Sequence, residues 1–227
     1  MAGTRKDLNV METDWLADPL MSIDTQFVFR VPTRDSVSDE HWKDYHFCTR
    51  LKLEAADYFC RQLLGMAEIP LTLGLPLMAH RQFRWLLDVF FFELVSAHDL
   101  ALQEVNVVYG MGLKPEEVNW DNVKSKRKRA PDELFNHMSK EWDSRWFKKV
   151  RDLRNTGAHR SYIWTGSSQG GSGDKPWDYD YHKVLLYRFN REKQEVESEE
   201  LGVCAEYLKK MVEHVNRIWT LMAGEFK

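Results

Sequence analysis

Cysteine is scarce in this chain of 227 residues: only Cys48, Cys60 and Cys204, far apart in sequence. An odd number without metal-ligand spacing excludes a disulfide framework and a thiolate metal centre, and reads as reduced thiols in a cytosolic protein. Excess charge is also missing. A net charge of −3 argues against a protein that coats nucleic acid with its whole surface, so any such contact is expected to be local. No long uninterrupted apolar run occurs. The greasiest stretch, Phe83–Leu102, carries Arg84, Asp88, Glu93 and Asp99, which makes it a poor membrane span and a good buried helix. Met1–Asp39 is polar and lacks the apolar centre of a signal peptide. There is no internal repeat, nucleophile elbow, P-loop or dinucleotide fingerprint. Ser96 and His98 stand two positions apart on a helix and point to different faces. His41, His46, His80, His98, His137, His182 and His214 show no metal-binding spacing, so neither a metal nor a cofactor is expected.

What is present is core-forming material. Hydrophobic residues make up 43% and aromatics 13%, which excludes global disorder. Residues 1–37 read as an arm or a set of loops, with extended character at Gln26–Val31. Residues 38–227 read as one helical domain. A first helix is expected from Asp39 to Gly65, with Leu53, Ala56, Phe59, Cys60, Leu63 and Leu64 at helical spacing. Gly65 is its expected stop, and Pro70–Pro76 a connector. A second helix is expected from Leu77 to Tyr109, ended by Gly110 and Gly112. Its wide apolar arc (Leu87, Phe90, Phe91, Leu94, Val95, Leu102, Val105) suits the centre of a bundle. Ser96, Asp99, Gln103 and Asn106 form a narrower polar stripe, which reads either as solvent-facing and inter-helix bonding residues or as the border of a site.

Residues 113–130 look irregular and end in the basic run Lys124–Arg129. Pro131, Asp132 and Glu133 resemble the first turn of another helix. Helical pattern then runs, with a break near Asp143–Ser144, to about Thr156, where Gly157 is a natural stop. Gly166–Asp174 is a flexible loop by composition. It separates Ser161–Thr165 from His182–Phe189, two strand-like flanks of a small hairpin. Residues 191–200 are highly charged. A last helix is expected from about Glu199 to Ala223, burying Leu208, Met211, Val212, Val215, Ile218, Trp219 and Met222. The fold class is therefore mainly α: a helical bundle of four to five helices with a small β-hairpin inserted before the last helix.

The segment Arg151–Arg160 reads Arg-Asp-Leu-Arg-Asn-Thr-Gly-Ala-His-Arg. Arg154 precedes His159 by five positions, and Asn155 stands beside the arginine. Arginine holds a phosphate by two parallel hydrogen bonds, and histidine moves protons near neutral pH. Such spacing is common by chance. Arg34 and His41 also fit it loosely, but they straddle the start of the first helix in a polar segment. Arg154 has better context. It falls within the apolar arc of its helix, among Phe147, Val150 and Leu153, while Arg145, Lys148, Lys149 and Asp152 lie opposite. An inward arginine needs a partner, either an acid such as Asp99, a cluster of carbonyls, or an anionic ligand. His159 is expected just past the helix end.

These residues resemble the HEPN superfamily (higher eukaryotes and prokaryotes nucleotide-binding domain), whose motif is an arginine, a following polar residue and a histidine four to six positions on, at the end of a helix in an all-α bundle. Arg154, Asn155 and His159 match it in turn. Phe92–Gly112 also looks like the preceding long helix of uncharacterised prokaryotic members. The resemblance covers roughly residues 40–225. It implies a metal-independent endoribonuclease in which two protomers line one composite cleft. Arg154 would hold the scissile phosphate, His159 would serve as general base or acid, Asn155 would orient one of them, and Asp99 would supply an assisting carboxylate. The products would carry a 2′,3′-cyclic phosphate and a 5′-hydroxyl. Lys148, Arg151 and Arg160 beside the motif, and Lys126 and Arg127 in the basic run, are the candidate RNA contacts. The partners so implied are RNA, a second copy, and an antitoxin or regulatory protein, with the role of a toxin or defence effector. The alternative is a catalytically inactive domain of the same family that binds RNA, nucleotide or a protein partner; a helical scaffold with Arg154 in a buried ion pair is a third reading. Trp142, Trp146, Trp164 and Trp177 flank the motif and suit either base stacking or core packing.

Overall fold

The computed structural model describes residues 39–67, 77–159, 164–169, 182–190 and 195–223. The N-terminal arm, Gln26–Val31, the connector at Pro70–Pro76, Ser161–Ile163 and Arg160 lie outside the described residues. The fold is a helical bundle with a small sheet inserted before its last helix. The elements are α1 Asp39–Ala67, α2 Leu77–Val108, α3 Trp120–Ser125, α4 Asp132–Trp142, α5 Arg145–His159, β1 Trp164–Gln169, β2 His182–Asn190, β3 Glu195–Glu200 and α6 Val203–Ala223.

Helices α1 and α2 form an antiparallel pair. The expected spacing in α1 buries Leu53, Ala56, Cys60 and Leu63 against Leu87, Phe90, Leu94 and Ala97 of α2 and the rest of one core. The arc of α2 is wide because α1 covers one flank, while α5 and α6 also pack upon it. Every residue expected on the buried face of α6 is buried. Gly110 and Gly112 end α2 with positive φ angles of 53° and 73°, the region where a Cβ is strained. The polar stripe divides here. Asn106 accepts from the backbone N–H of Leu113 and donates to its carbonyl, while Gln103 donates to the carbonyl of Pro115.

Several boundaries differ from the sequence reading. Helix α1 runs through Gly65, whose exposed position demands no special φ. The stretch 113–130 contains helix α3, capped by Asn119, which accepts from the N–H of Asn122. The break at Asp143–Ser144 separates α4 from α5, and Ser144 Oγ accepts from the N–H of Phe147 to cap α5. Helix α5 continues through Gly157 to His159, so His159 belongs to its last turn rather than to the chain beyond. The hairpin gains a third strand. β1, β2 and β3 form an antiparallel sheet in sequence order, with Trp164 opposite Tyr187 and Tyr187 opposite Ser198. Part of the charged run is strand β3, paired along β2, with Glu197 and Glu199 half-buried and the rest exposed. Glu199 bonds Lys149 of α5 and accepts from the Tyr207 hydroxyl of α6, which ties the sheet to the bundle.

A carboxylate is buried inside this bundle. Glu104 of α2 is inaccessible to solvent and accepts from Thr49 at 2.5 Å and from the Trp219 indole at 3.0 Å, with His46 Nδ1 at 2.9 Å. Burial raises its pKa, while these three partners pull it down, His46 most. Each of them sits on α1 or α6, so the network fixes the mutual register of three helices. No helix among the described residues is long and apolar enough to cross a membrane.

Candidate active site at the edge of helices α2 and α5

Helix α5 is amphipathic. Phe147, Val150 and Leu153 point into the core, and Lys148 and Asp152 point to solvent. Arg154 lies at the border between these faces and is half-buried. Its Nη1 donates to Asn155 Oδ1 at 2.9 Å, so the adjacent amide holds the guanidinium in place. Its Nε is buried and has no hydrogen-bond partner. Across from it stands Asp99 of α2. Asp99 is exposed at the surface, with protein packed around its carboxyl. Burial there lifts its pKa to about 6, while the positive charge of Arg154 pulls it down. The two residues interact through their charges without forming a direct ion pair. A carboxyl group of pKa near 6 exchanges protons readily at neutral pH.

Three of the four expected catalytic residues, Asp99, Arg154 and Asn155, thus meet at one edge. His159 follows on the same helix, one turn beyond Asn155; its side chain lies outside the described residues. The expected RNA contacts are spread more widely. Lys148 is exposed on α5. Arg151 is folded inward, its guanidinium 3.6 Å from the Trp142 ring centroid and its Nη2 donating to the Trp142 carbonyl. Lys126 and Arg127 are exposed, near the place where Arg129 donates to the Gly110 carbonyl. Gly110 follows Asp99 by eleven residues, which puts this basic run roughly 16 Å along the axis of α2 from the site. Trp142 and Trp146 serve packing: Trp142 stacks with Trp120, and Trp146 donates to Glu141.

Directly behind the site lies a chain of histidines that the sequence reading did not foresee. His98 Nδ1 is 3.1 Å from His214 Nε2, and His214 Nδ1 is 3.0 Å from His137 Nε2. His98 and His214 are fully buried. Burial lowers the pKa of all three, that of His98 to about 3 with help from the nearby charge of Arg151. The chain is therefore neutral, and its proton order follows from one contact. His137 Nε2 also lies 3.3 Å from the carbonyl oxygen of His214, which can only accept. The proton therefore sits on His137 Nε2, so His214 Nδ1 accepts and His214 Nε2–H donates to His98 Nδ1. His98 then carries its proton on Nε2, which is buried without a partner, between Phe147 and Trp142. The usable signal was position: His98 and His214 fall among the apolar residues of α2 and α6, where a histidine needs a partner. The scattered thiols behave similarly. Cys60 and Cys204 sit near each other, and burial pushes Cys60 up to about 12 and raises Cys204 further from reactivity.

Comparison with known proteins adds one match. A family model described as HEPN_Cthe2314-like HEPN matches residues 76–224, well over half of the chain, from the start of α2 to the end of α6. No curated protein and no solved structure matches the chain.

Proposed function

The chain belongs to the HEPN_Cthe2314-like HEPN family, and we propose that it is an endoribonuclease that works without a metal. The observation that carries this reading is the grouping of Arg154, its amide partner Asn155, and a carboxyl of pKa about 6 at Asp99 on one solvent-facing edge. Arg154 binds a non-bridging oxygen of the scissile phosphate and stabilises the charge that grows there. Asn155 keeps the guanidinium oriented. His159, one turn further along α5, and Asp99 share the proton transfers. One takes the proton of the ribose 2′-hydroxyl as its oxygen bonds to phosphorus. The bond from phosphorus to the 5′-oxygen breaks, and the other group protonates that leaving oxygen. The products are a 2′,3′-cyclic phosphate and a 5′-hydroxyl, and DNA, lacking the nucleophile, is spared. Asp99 is exposed on this edge and Arg154 and Asn155 are half-buried, and a second protomer completes the cleft.

The experiment is direct. Purified protein is incubated with RNA in EDTA, with end groups mapped on any products. Cyclic-phosphate termini that disappear with Arg154→Ala establish the reading. Binding of RNA without cleavage supports instead an inactive member that only binds. As for setting, a toxin or defence effector held in check by a protein antitoxin in the cytoplasm fits such an activity.

A further inference from the structure

The run Lys124–Arg129 places five cations in six positions, all five exposed. The fold pins it in place. Lys124 lies in the last turn of α3, and Arg127–Arg129 form a single 3₁₀ turn. From that turn Arg129 reaches back to the Gly110 carbonyl at the end of α2. Lys126, Arg127 and Lys128 form no side-chain hydrogen bond or ion pair with a described residue. Other surface cations are engaged: Lys52 with Glu93, Arg61 with Asp57, Lys210 with Glu206. Acids close by in sequence are occupied too, since Glu117 accepts from the Lys114 N–H and Glu133 is bonded to Arg217. Three adjacent unpaired cations repel one another, and a bound anion relieves that repulsion.

Two routes lead from this run to the Arg154 edge. The first is the polar stripe of α2. At 100° per residue, Asp99, Gln103 and Asn106 fall within about 60° of one another. Gln103 and Asn106 hold Leu113 and Pro115 against the helix, and Arg129 holds its end. The second is a ladder of cations and rings. Lys124 Nζ lies 5.8 Å from the Trp120 ring, Trp120 stacks on Trp142 at 5.8 Å, and the Arg151 guanidinium lies 3.6 Å from Trp142. Those three steps put Lys124 Nζ within about 15 Å of Arg151, which precedes Arg154 by three residues on α5.

We propose that Lys126, Arg127 and Lys128 form an anchoring subsite for RNA, seating backbone phosphates a few nucleotides from the one held by Arg154. The identity of the ligand rests on the ribonuclease reading above. The surface favours a phosphate chain over a protein. The exposed large apolar side chains among the described residues are Phe47, Leu51, Tyr58, Trp85, Phe92 and Val196, none of them in this run. A protein interface draws its affinity from buried apolar and aromatic anchors, whereas a phosphate backbone needs only cations. An anchor of this kind reads no bases, so it selects RNA by length rather than by sequence.

The test measures binding of a labelled 2′-O-methyl RNA, which lacks the nucleophile, to the full chain by fluorescence anisotropy over a range of salt. A length of about 12 nucleotides lies within single-strand site sizes. Lys126→Gln, Arg127→Gln and Lys128→Gln together should weaken binding at least about tenfold at physiological salt. They should also lower the slope of log affinity against log salt by about 2, because each single-strand phosphate contact contributes about 0.7. Each single substitution should give about a third of that change in slope. Lys209→Gln with Lys210→Gln, on α6, removes charge elsewhere and should keep the wild-type slope. Circular dichroism checks that each variant folds. Unchanged affinity and slope in the triple variant overturn the proposal; RNA cleavage by wild type would then leave the ribonuclease standing without this anchor. A wild type that binds through the run but cuts no RNA upholds the anchor and rejects the ribonuclease. A wild type that binds no RNA also overturns the proposal, and capture of poly-glutamate by the run would then assign it to an acidic protein.

Discussion

Arg154 of α5 and Asp99 of α2 face each other through their charges without forming a direct ion pair, and Arg154 spends a hydrogen bond on Asn155 instead. A buried structural ion pair would have closed that gap. Here the guanidinium is held by a neutral amide and the carboxyl is left with a pKa of about 6, so both keep capacity for a third party.

This relationship predicts a coupled titration. Replacing Arg154 by Met removes the charge that lowers Asp99 and leaves the burial that raises it. The Asp99 pKa should therefore climb above 6, read from its carboxyl carbon by NMR. If cleavage uses Asp99, the rate should have a limb with a midpoint near pH 6, and Asp99→Asn should abolish that limb while sparing the fold. An Asp99 that titrates identically in wild type and Arg154→Met would show that the two are not coupled.

The histidine chain sets an acid limit on stability. An unfolded histidine binds a proton near pH 6.5, whereas His98 in the fold resists protonation down to about pH 3. The folded pKa is depressed, so its contribution is full above 6.5 and falls as acid favours the unfolded form. That contribution is lost progressively between those limits. Glu104 and Asp99, with raised values, work in the opposite sense. Urea unfolding of wild type and His98→Gln between pH 7 and 4.5 isolates the histidine. The variant should lose less stability on acidification, and parallel losses would contradict the account.

Glu104 should be more costly to remove than a surface acid. Glu104→Ala leaves His46, Thr49 and Trp219 without their acceptor inside the core. A loss of about 3 kcal/mol is expected by denaturant unfolding. Glu104→Gln keeps the shape and one acceptor oxygen and should lose less. Equal effects of the two would point to packing rather than hydrogen bonding.

Two glycines should answer oppositely to alanine. Gly65 lies inside α1 with open space where a Cβ would go, so Gly65→Ala should stabilise by roughly 0.5–1 kcal/mol. Gly112 has φ +73°, so Gly112→Ala should destabilise by about 1 kcal/mol. Thermal melts of the pair decide both.

The helices were legible because their apolar spacing is strong and long, as in α2 and α6, and because Gly110 and Gly112 supply a stop that requires positive φ. Gly65 and Gly157 misled for the matching reason: both helices pass through them, so a glycine ends a helix only where the backbone turns. β3 was hidden because four of its six residues are glutamates and its pairing comes from β2, a partner outside the local window. At the site, Arg154 was marked by its place on an apolar arc and Asp99 by its stripe. For the histidine chain only the apolar setting of His98 and His214 was legible; their pairing was out of reach because 116 residues separate them and they meet only through folding.

The central claim is best tested by incubating purified protein with total RNA and a DNA control in EDTA, beside Arg154→Ala and His159→Ala. The account predicts RNA cleavage that persists in EDTA, spares DNA and falls at least about a hundredfold in both variants. No cleavage, or cleavage that both variants retain, would contradict it.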